Sequence, residues 1–410
     1  MQSNRRSFIA TAAASALAPA APAAPGELDW SRIRAEYPWT EKQLFMNPAG
    51  WHPMRKSAIA AMHKYLEFKL LGPGEGRGQH ANGHQDEARQ GFAKLINAGP
   101  SEVAFVQSTL MGENIANLAL GIVPGGPWNV VTDELHYESA IYMYRAMEKQ
   151  GLDLRVVKMK DWRVDVKDIE KVVDRKTRLV ACSLVSFLNG VRADAKAISD
   201  LVHAHGGYLY TDVIQAAGAV PIDVKALGID FCACSGYKFL MGDRGLGFLY
   251  VREDLQGKVA KRFQYGDRQF SNIRYHMFPH DPPGPRPCSW EQRSGAGGHF
   301  EVGNIANVVA AGHADNLRFI NDLGVDRIQA RVKPMVEKVR KELPGLGYPC
   351  MTPDGTPTPI SSFVVQDTKK LSEKMSRANI DVKIQWNQMR VSVSVYHTMA
   401  DIDRFLNAAS

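Results

Sequence analysis

Short apolar segments alternate with helical patterns between residues 103 and 251, and this alternation limits the fold more than any other feature of the chain. Helical patterns such as 137–150 and 195–205 separate most of the apolar segments. The strand-like segments lie at 103–107, 128–132, 153–158, 177–184, 207–211, 231–235 and 245–251. Alternation on this scale predicts an α/β fold with a mostly parallel seven-stranded sheet and helices on both faces.

The pattern changes after this region, which predicts a second domain. The sequence is helical in character from 300 to 343, and from 360 it alternates strand, helix, strand and helix. We predict a large domain over 55–310 and a small α+β domain built from 27–54 and 311–410. The segment 268–298 is rich in Pro and Gly and predicts a long surface loop.

Composition excludes several classes of protein. An apolar content of 45% excludes a disordered or fibrous chain. The net charge of +7 comes without a basic run or zinc-finger spacing, so we predict no nucleic-acid partner. Five cysteines are odd in number and too sparse for a disulfide framework. His80, His84 and Glu87 have a spacing compatible with metal, but surface histidines are common and we predict no metal site.

The first residues read as an export signal rather than as part of the fold. Arg5 and Arg6 precede Phe8 and Ile9, and an Ala-rich stretch ends in Ala-Pro-Ala at 21–23. This order is typical of a twin-arginine signal peptide over 1–23, the alternative being a disordered tail. We therefore expect a periplasmic or secreted protein that uses the twin-arginine export machinery and has no stable membrane anchor.

Lys238 is the first candidate for chemistry. It follows the apolar segment 229–234 and precedes a glycine-rich turn at 242–247. Burial at such a position disfavours the ammonium form and lowers the pKa of the amine. A lysine so placed can form a Schiff base with an aldehyde cofactor, whereas an isolated lysine is usually a solvated charge.

Asp212 is the second candidate, because it ends a predicted strand. Open α/β sheets bind ligands at this edge, and a carboxylate there can hold a pyridinium nitrogen protonated. Gln215 lies three residues further on, within reach of a ring hydroxyl. The alternative role for Asp212 is that of a helix cap.

The order Asp-x-x-Gln at 212–215, Ser-x-x-Lys at 235–238 and Gly-x-x-Gly-x-Gly at 242–247 is specific. It resembles the class V aminotransferases of fold-type I, which depend on pyridoxal 5′-phosphate (PLP) and include cysteine desulfurases, isopenicillin-N epimerase-like proteins and kynureninase. The resemblance extends from about residue 43 to the C-terminus. It implies the fold-type I transferase fold, PLP as cofactor, and Lys238 and Asp212 as catalytic residues.

The resemblance also implies a phosphate site. Residues 107–114 resemble the family's phosphate cup, in which a strand ends and a helix begins with free N–H groups. This match assigns Ser108, Thr109 and the backbone of Leu110 to the phosphate. Ser235 and Tyr237, which flank the lysine segment, resemble further phosphate contacts.

Residues 132–139 match the family segment whose aromatic residue stacks on the cofactor ring. The register permits either His136 or Tyr137. We favour Tyr137, because Ser139 follows two residues later as in the family. Many relatives carry Asn where this chain has Phe187, so Gln215 is the expected donor to the ring hydroxyl.

Two further motifs concern the partner subunit and the substrate. Gly303-Asn304 resembles a Gly-Thr motif that reaches the partner's cofactor phosphate, which implies a homodimer with shared sites. Arg390 matches the small-domain arginine that grips the substrate α-carboxylate, and Asn47 resembles a residue beside it. Candidates for a more distant acidic group of the substrate are Arg244, Arg268 and Arg293.

The reaction is less constrained than the cofactor. Desulfurases of the family use a nucleophilic cysteine in a small-domain loop, and no cysteine follows Cys350. We therefore expect an exported PLP enzyme that acts on the amino group of an amino acid or small peptide-like substrate, with aminotransferase-type chemistry on Lys238. A C–S or C–C lyase or an epimerase remains open, and a non-catalytic binding protein is the alternative from another class.

Overall fold

A computed structural model describes residues 28–274 and 289–410. The predicted signal segment 1–23 lies outside these residues. The strands are β1 (Leu44–Phe45), β2 (Val103–Val106), β3 (Asn129–Asp133), β4 (Asp153–Val157), β5 (Thr177–Ser183), β6 (Tyr208–Asp212), β7 (Phe231–Ser235), β8 (Gly247–Val251), β9 (Phe270–Arg274), β10 (Ser289–Gln292), β11 (Ile360–Val364), β12 (Ile380–Asp381), β13 (Lys383–Gln385) and β14 (Gln388–Ser392). The α-helices are α1 (Trp30–Ala35), α2 (Trp39–Lys42), α3 (Lys56–Leu71), α4 (Gln85–Leu95), α5 (Thr109–Ala119), α6 (Glu138–Glu148), α7 (Val166–Glu170), α8 (Ala195–Ala204), α9 (Gly295–Phe300), α10 (Asn307–Leu323), α11 (Val325–Glu342), α12 (Thr368–Arg377) and α13 (Met399–Ala409).

The large domain is built on a seven-stranded sheet in the order β2-β8-β7-β6-β5-β3-β4. All neighbouring pairs are parallel except those of β8, which runs antiparallel to both β2 and β7. Separate apolar clusters cover the two faces, so central strands such as β7 are buried along their whole length. The predicted seven-stranded, mostly parallel sheet is confirmed.

Helix α5 lies against strand β7 at very short range. A Cβ atom at Gly112 would come within 2.5 Å of the Cβ of Ala233, so only glycine permits this approach. The contact sets the N-terminus of α5 beside the carboxyl ends of β6 and β7.

The small domain combines both ends of the described chain. Strands β11, β14 and β13 form an antiparallel sheet in that order, and helices α11, α12 and α13 cover it. Strand β1 joins this domain by parallel pairing with β12, in which Leu44 lies opposite Ile380. The turn that follows β1 is thereby held next to β14.

The division between the domains falls later than the predicted boundary at 310. Leu317 is fully buried in the core of the large domain, and a Cβ atom at Gly91 would lie 2.8 Å from its Cβ. Nδ2 of Asn321 donates to the carbonyl oxygen of Gly91 at 2.9 Å. Helix α11 still buries Ile328 in the large-domain core but packs Val332 into the small-domain core, so the change comes within α11.

The segment predicted as a long loop has regular structure at both ends. Strands β9 and β10 pair antiparallel, and helix α9 follows them. Residues 275–288 lie outside the described residues. No helix in 28–274 or 289–410 is long and apolar enough to cross a membrane.

Candidate active site

A cavity lies at the carboxyl ends of strands β5, β6 and β7, the edge where open α/β sheets bind their ligands. Its volume is about 200 Å³. Its lining residues are Ser108, Thr109, Leu110, Tyr137, Ser139, Ser183, Phe187, Asp212, Ile214, Gln215, Ser235, Tyr237 and Lys238. The structure thus brings together all the predicted cofactor residues except His136 and Asn304.

Lys238 follows β7 and lies in the cavity wall with only 7% exposure. Burial lowers the pKa of its amine to about 8, with Asp212 opposing the shift and Arg390 adding to it. The Nζ atom lies 5.9 Å from the ring centroid of Tyr137. An amine with a pKa this close to neutrality can act as a nucleophile and as a base.

The turn that carries Lys238 rests on a buried histidine. A Cβ atom at Gly236 or at Gly242 would lie 2.1 Å from the imidazole of His313 on α10. Met241 closes the turn by donating its N–H to the carbonyl oxygen of Lys238 at 2.7 Å. The glycines beside the lysine therefore serve close packing.

Asp212 is the last residue of β6 and is 3% exposed. One carboxylate oxygen, Oδ1, accepts the N–H of Ile214 at 2.9 Å. Burial raises the pKa of Asp212, while the charges of His136 and Lys238 oppose that shift. The carboxylate lines the cavity, where it can pair with a protonated ring nitrogen.

The N-terminus of α5 forms one end of the cavity. Ser108 caps this helix, and its Oγ accepts the N–H of Met111 at 3.1 Å. The Thr109 N–H donates to Ser235 Oγ at 2.8 Å, and the Ser235 N–H donates to Thr109 Oγ1 at 2.9 Å. The amide of Leu110 has no acceptor within 28–274 and 289–410. A free N–H group at a helix N-terminus is a typical phosphate-binding arrangement.

Tyr137 and His136 occupy different environments. The Tyr137 ring lines the cavity and meets the Phe187 ring edge-on, with centroids 5.5 Å apart. His136 is 0% exposed and does not line the cavity. Its Nδ1 and Nε2 lie 3.0 Å from Ser183 Oγ and from Glu113 Oε1. Of the two, only Tyr137 is placed to stack on a ring in the cavity.

Arg390 on β14 borders the cavity from the small domain. Its Nη1 donates to the carbonyl oxygen of Phe187 at 2.9 Å, and its Nη2 donates to Asn47 Oδ1 at 3.3 Å. The side chain is buried, which lowers the pKa of the guanidinium to about 10. The structure thus brings the predicted substrate residues Arg390 and Asn47 together beside Lys238, whose pKa Arg390 lowers.

Gln215 links the cavity to the N-terminal turn. Its Nε2 donates to the carbonyl oxygen of Ala49 at 3.0 Å. This bond uses one of the two N–H groups of the amide, which is the predicted donor to the ring hydroxyl. Its Oε1 is buried and has no partner among the residues described. The side chain therefore keeps one N–H group and one oxygen for a ligand.

The three arginines considered for a distant acidic group lie in different settings. The Arg244 guanidinium lies 5.2 Å over the ring centroid of Tyr237, a cavity residue. Arg268 forms an ion pair with Glu301 at 2.9 Å, and Arg293 donates to the backbone of Arg268. Only Arg244 of the three is beside the cavity.

Asn304 lies outside the cavity of its own chain. It is exposed in the segment between α9 and α10. Its predicted contact with a partner's cofactor remains a prediction.

Ser183 and Ile214 line the cavity and were not predicted as site residues. The sequence could have indicated Ser183, because it is the last residue of β5 and lies opposite Asp212 in the sheet register. The sequence gives no such indication for Ile214, since its position depends on how the chain turns after β6.

The groups present fit PLP. The Leu110 amide and the hydroxyls of Thr109 and Ser235 supply donors at one end of the cavity. Asp212 supplies a carboxylate and Lys238 a buried amine elsewhere in the same cavity. The unpartnered Gln215 Oε1 marks a polar position that a ligand can satisfy. In the described ranges, no group of three His, Cys, Asp or Glu residues is placed to hold a metal ion.

Comparison with known proteins identifies a family and several relatives that cover most of the chain. The family model "Aminotransferase class-V" matches residues 53–405. A "Probable cysteine desulfurase" of Methanothermobacter thermautotrophicus is 29% identical over 75% of this chain and 74% of its own length. A cysteine desulfurase of Klebsiella pneumoniae is 28% identical over 72% of this chain and 73% of its own. The apo structure of cysteine desulfurase from Thermococcus onnurineus superposes with a TM-score of 0.76 at 22% identity, covering 92% of this chain and 96% of that one.

Proposed function

The chain belongs to the class V aminotransferase family of PLP-dependent enzymes, and on this premise we propose that it acts on the amino group of an amino acid or small peptide-like substrate with aminotransferase-type chemistry. The observation that carries the proposal is that a buried amine and a buried carboxylate line one cavity, and that a buried guanidinium binds the backbone of a residue in its wall. These groups are Lys238, Asp212 and Arg390. They suit a substrate that carries an amino group and a carboxylate on one carbon.

PLP, when bound, supplies an electron-withdrawing ring that stabilises negative charge on the α-carbon of the substrate. The carboxylate of Asp212 would hold a proton on the ring nitrogen of the bound cofactor. The ring of Tyr137 would stack against it, and the N-terminus of α5 would hold the phosphate.

Lys238 acts as nucleophile and base. Because the pKa of its amine is about 8, roughly a tenth of these side chains are neutral at pH 7. The neutral amine can hold the cofactor covalently. Once it is released, it can accept the proton from the substrate α-carbon.

Arg390 binds the substrate carboxylate and thereby sets its orientation. Its planar fork is suited to bidentate pairing with a carboxylate. The hydrogen bonds to Phe187 and Asn47 fix the guanidinium before substrate arrives. The α-carbon is then held within reach of Lys238.

A C–S or C–C lyase or an epimerase of the same family is the second candidate, favoured by the relatives named cysteine desulfurase. Transfer of sulfur to the enzyme would need a cysteine thiol at the substrate. Cys182, Cys232 and Cys234 are buried in the sheet, and Cys350 donates its thiol to the carbonyl oxygen of Thr352. None of these four lines the cavity, and Cys288 lies outside the described residues. Within the lyase alternative, these positions favour a lyase that needs no cysteine thiol of the enzyme.

A product screen tests the two candidates against each other. Purified holoenzyme is incubated with single amino acids, with and without a keto-acid acceptor, and keto acid, sulfide and change of chirality are measured. Keto acid formed only with an acceptor supports the aminotransferase. Sulfide, or inversion without keto acid, overturns it in favour of a lyase or an epimerase.

Trapping the cofactor tests whether the protein is an enzyme or a binding protein. Borohydride reduction of the holoenzyme should attach the cofactor covalently to Lys238. A Lys238→Ala variant should lose both this attachment and activity. An Asp403→Ala variant, changed at an exposed acid of α13, is the control and should keep both.

Export and dimerisation are part of the proposal. The arginine pair at positions 5 and 6 supports export by the twin-arginine route to the periplasm. The neighbouring helices α5 and α6 expose the apolar side chains of Met111, Leu118 and Tyr142, which supports a homodimer interface on these helices. Cell fractionation of wild type and an Arg5→Lys/Arg6→Lys variant tests the first, and the mass of the protein in solution tests the second.

A further inference from the structure

A chain of buried hydrogen bonds leads from the cavity wall into the interior near Asp212, and the mechanism above does not use it. Glu113 on α5 is 1% exposed and His136 is 0% exposed. Nε2 of His136 lies 3.0 Å from Glu113 Oε1, and Nδ1 lies 3.0 Å from Ser183 Oγ. Ser183 lines the cavity and pairs with Asp212 in the sheet register.

A buried glutamate on α5 needs a specific reason. The neighbouring positions Ile115 and Ala116 bury apolar side chains against the sheet, and burying a carboxylate is costly unless it is paired. The partner of Glu113 is the imidazole of His136, not a surface cation. If packing were the only requirement, an apolar side chain would serve at this position.

The charges around His136 favour its cationic form. Burial by itself lowers the pKa of His136, but Glu113, Asp212 and Asp133 together raise it above the ordinary value. The titratable and charged groups around the pair are the acids Glu113, Asp133 and Asp212, the weak acids Tyr144, Cys182 and Tyr210, and the cation Lys238. Among the described residues, the charges that act on His136 are therefore mainly acidic. The cation Lys238 acts on Asp212 and not directly on His136.

We propose that Glu113 and His136 are positioning residues that keep Asp212 ionised for the ring nitrogen of the cofactor. Glu113 holds His136 as the imidazolium, which donates from Nε2 to Glu113 and from Nδ1 to Ser183 Oγ. The positive charge beside Asp212 stabilises its carboxylate, while the fixed Ser183 keeps the wall of the cavity in place. The inference rests on the proposed function only in that Asp212 serves the cofactor.

The protonation of His136 is measured in the cofactor-free full chain. The ¹⁵N chemical shifts of its imidazole report both nitrogens, and the signal is assigned by its loss in a His136→Asn variant. We expect wild-type His136 to have both nitrogens protonated at pH 7, and the Glu113→Gln variant to have one. A neutral His136 in the wild type at pH 7 overturns the proposal, and this measurement needs no variant beyond the assignment.

Cofactor binding gives an independent readout. We expect Glu113→Gln to weaken PLP binding by about tenfold, as expected for the loss of one interaction with a charged group. We also expect the pH at which the bound cofactor changes its absorption to move by about one unit. The matched control is Glu102→Gln. Glu102 is also buried, at 6% exposure, lies at the opposite edge of the sheet and accepts hydrogen bonds from the backbone N–H groups of Gly99 and Glu253.

The outcomes separate this inference from the proposed function. If wild type binds PLP and Glu113→Gln matches it in affinity and absorption, the positioning role is overturned while the proposed function stands. If wild type itself binds no PLP, the proposed function fails, and the ¹⁵N measurement still decides the state of His136. Equal losses in Glu113→Gln and Glu102→Gln also overturn the role, because they indicate general destabilisation.

Discussion

At the scale of single residues, the burial that activates Lys238 also destabilises the cofactor-free protein. The pKa of Lys238 is about 8 when folded and about 10.4 when unfolded, so the unfolded chain holds the proton more tightly. Stability is therefore lost as pH falls from about 10 to about 8, and the loss persists below pH 8. The cost amounts to at most about 3 kcal/mol.

We therefore expect a Lys238→Met variant, without cofactor, to be more stable than wild type at pH 7. The difference in stability should shrink as pH rises towards 10, because Lys238 then loses its proton in the unfolded chain as well as in the folded protein. Urea denaturation at pH 7 and at pH 10 measures it. Lys333→Met, at an exposed position of α11, is the control and should show no such change. If the free energies of unfolding of wild type and Lys238→Met changed with pH in parallel, the result would contradict a buried amine with a lowered pKa.

Arg390 makes a second prediction at this scale. Replacing it with Gln removes the charge and half of the planar fork, while a polar side chain of shorter reach remains. We expect KM for an α-amino acid to rise about 10- to 100-fold, with a smaller fall in kcat. Arg390→Lys should recover only part of this loss, because a lysine cannot pair with a carboxylate through two parallel N–H bonds. Steady-state kinetics check the predicted order of KM values, which is lowest in wild type, higher in Arg390→Lys and highest in Arg390→Gln. An unchanged KM in Arg390→Gln would show that Arg390 does not bind the substrate carboxylate.

At the scale of elements, the site depends on how closely α5 approaches β7. Gly112→Ala places a Cβ atom 2.5 Å from the Cβ of Ala233, so the helix must move away from the strand. Alanine favours helix over glycine by about 1 kcal/mol, but overpacking costs about 1–3 kcal/mol. We expect net destabilisation and weaker cofactor binding, since the N-terminus of α5 moves with the helix.

The steric origin of this effect has a direct check. The double variant Gly112→Ala/Ala233→Gly removes the clashing methyl group and should regain most of the lost cofactor affinity. Gly345→Ala has no atom within 4 Å of its new Cβ atom and should match wild type. Thermal denaturation and PLP titration of the four proteins provide the measurement. If the double variant did not regain cofactor affinity, a clash between the two methyl groups would not be the cause of the loss.

The elements also show which features a sequence can predict. Most strands of the large sheet were predictable because they are short, mainly apolar segments. Asp212 was predictable because it ends such a segment, and Lys238 because it follows one. The boundary between the domains was misplaced because α10 and α11 are both amphipathic. Only three-dimensional packing shows that the first faces the large domain. Likewise, His136 and Tyr137 are adjacent in sequence, and the direction in which the chain leaves β3 decides which of them enters the cavity.

At the scale of the whole molecule, the N-terminal segment joins the two domains at the site. Strand β1 pairs with β12 of the small domain, and the turn after it meets both Gln215 and Arg390. Nη2 of Arg34 donates to Asp401 on α13 at 3.2 Å, which ties the same segment to the C-terminal helix. The predicted cofactor residue Gln215 and the predicted substrate residue Arg390 are therefore both held by one stretch of chain.

The proposed homodimer leads to a prediction about how its sites are shared. Asn304 is exposed and lines no part of its own cavity, so it can serve a cofactor only in a partner subunit. In a mixed dimer of Lys238→Ala and Asn304→Arg protomers, one site then carries both substitutions and the other carries neither. Random mixing should restore about a quarter of wild-type activity, because half of the dimers are mixed and each has one intact site.

A second pairing provides the control, because Lys238 and Asp212 line the cavity of the same chain. A mixture of Lys238→Ala and Asp212→Asn protomers therefore contains no intact site and should stay inactive. Activity of each single variant and of both mixtures, after co-expression with separate affinity tags, gives the comparison. Recovery in the Asn304 mixture alone means that each site is built by two subunits. If both mixtures are inactive, each subunit carries a complete site and Asn304 does not serve a partner's cofactor. If the Asn304→Arg variant is active by itself, Asn304 has no role in binding the cofactor.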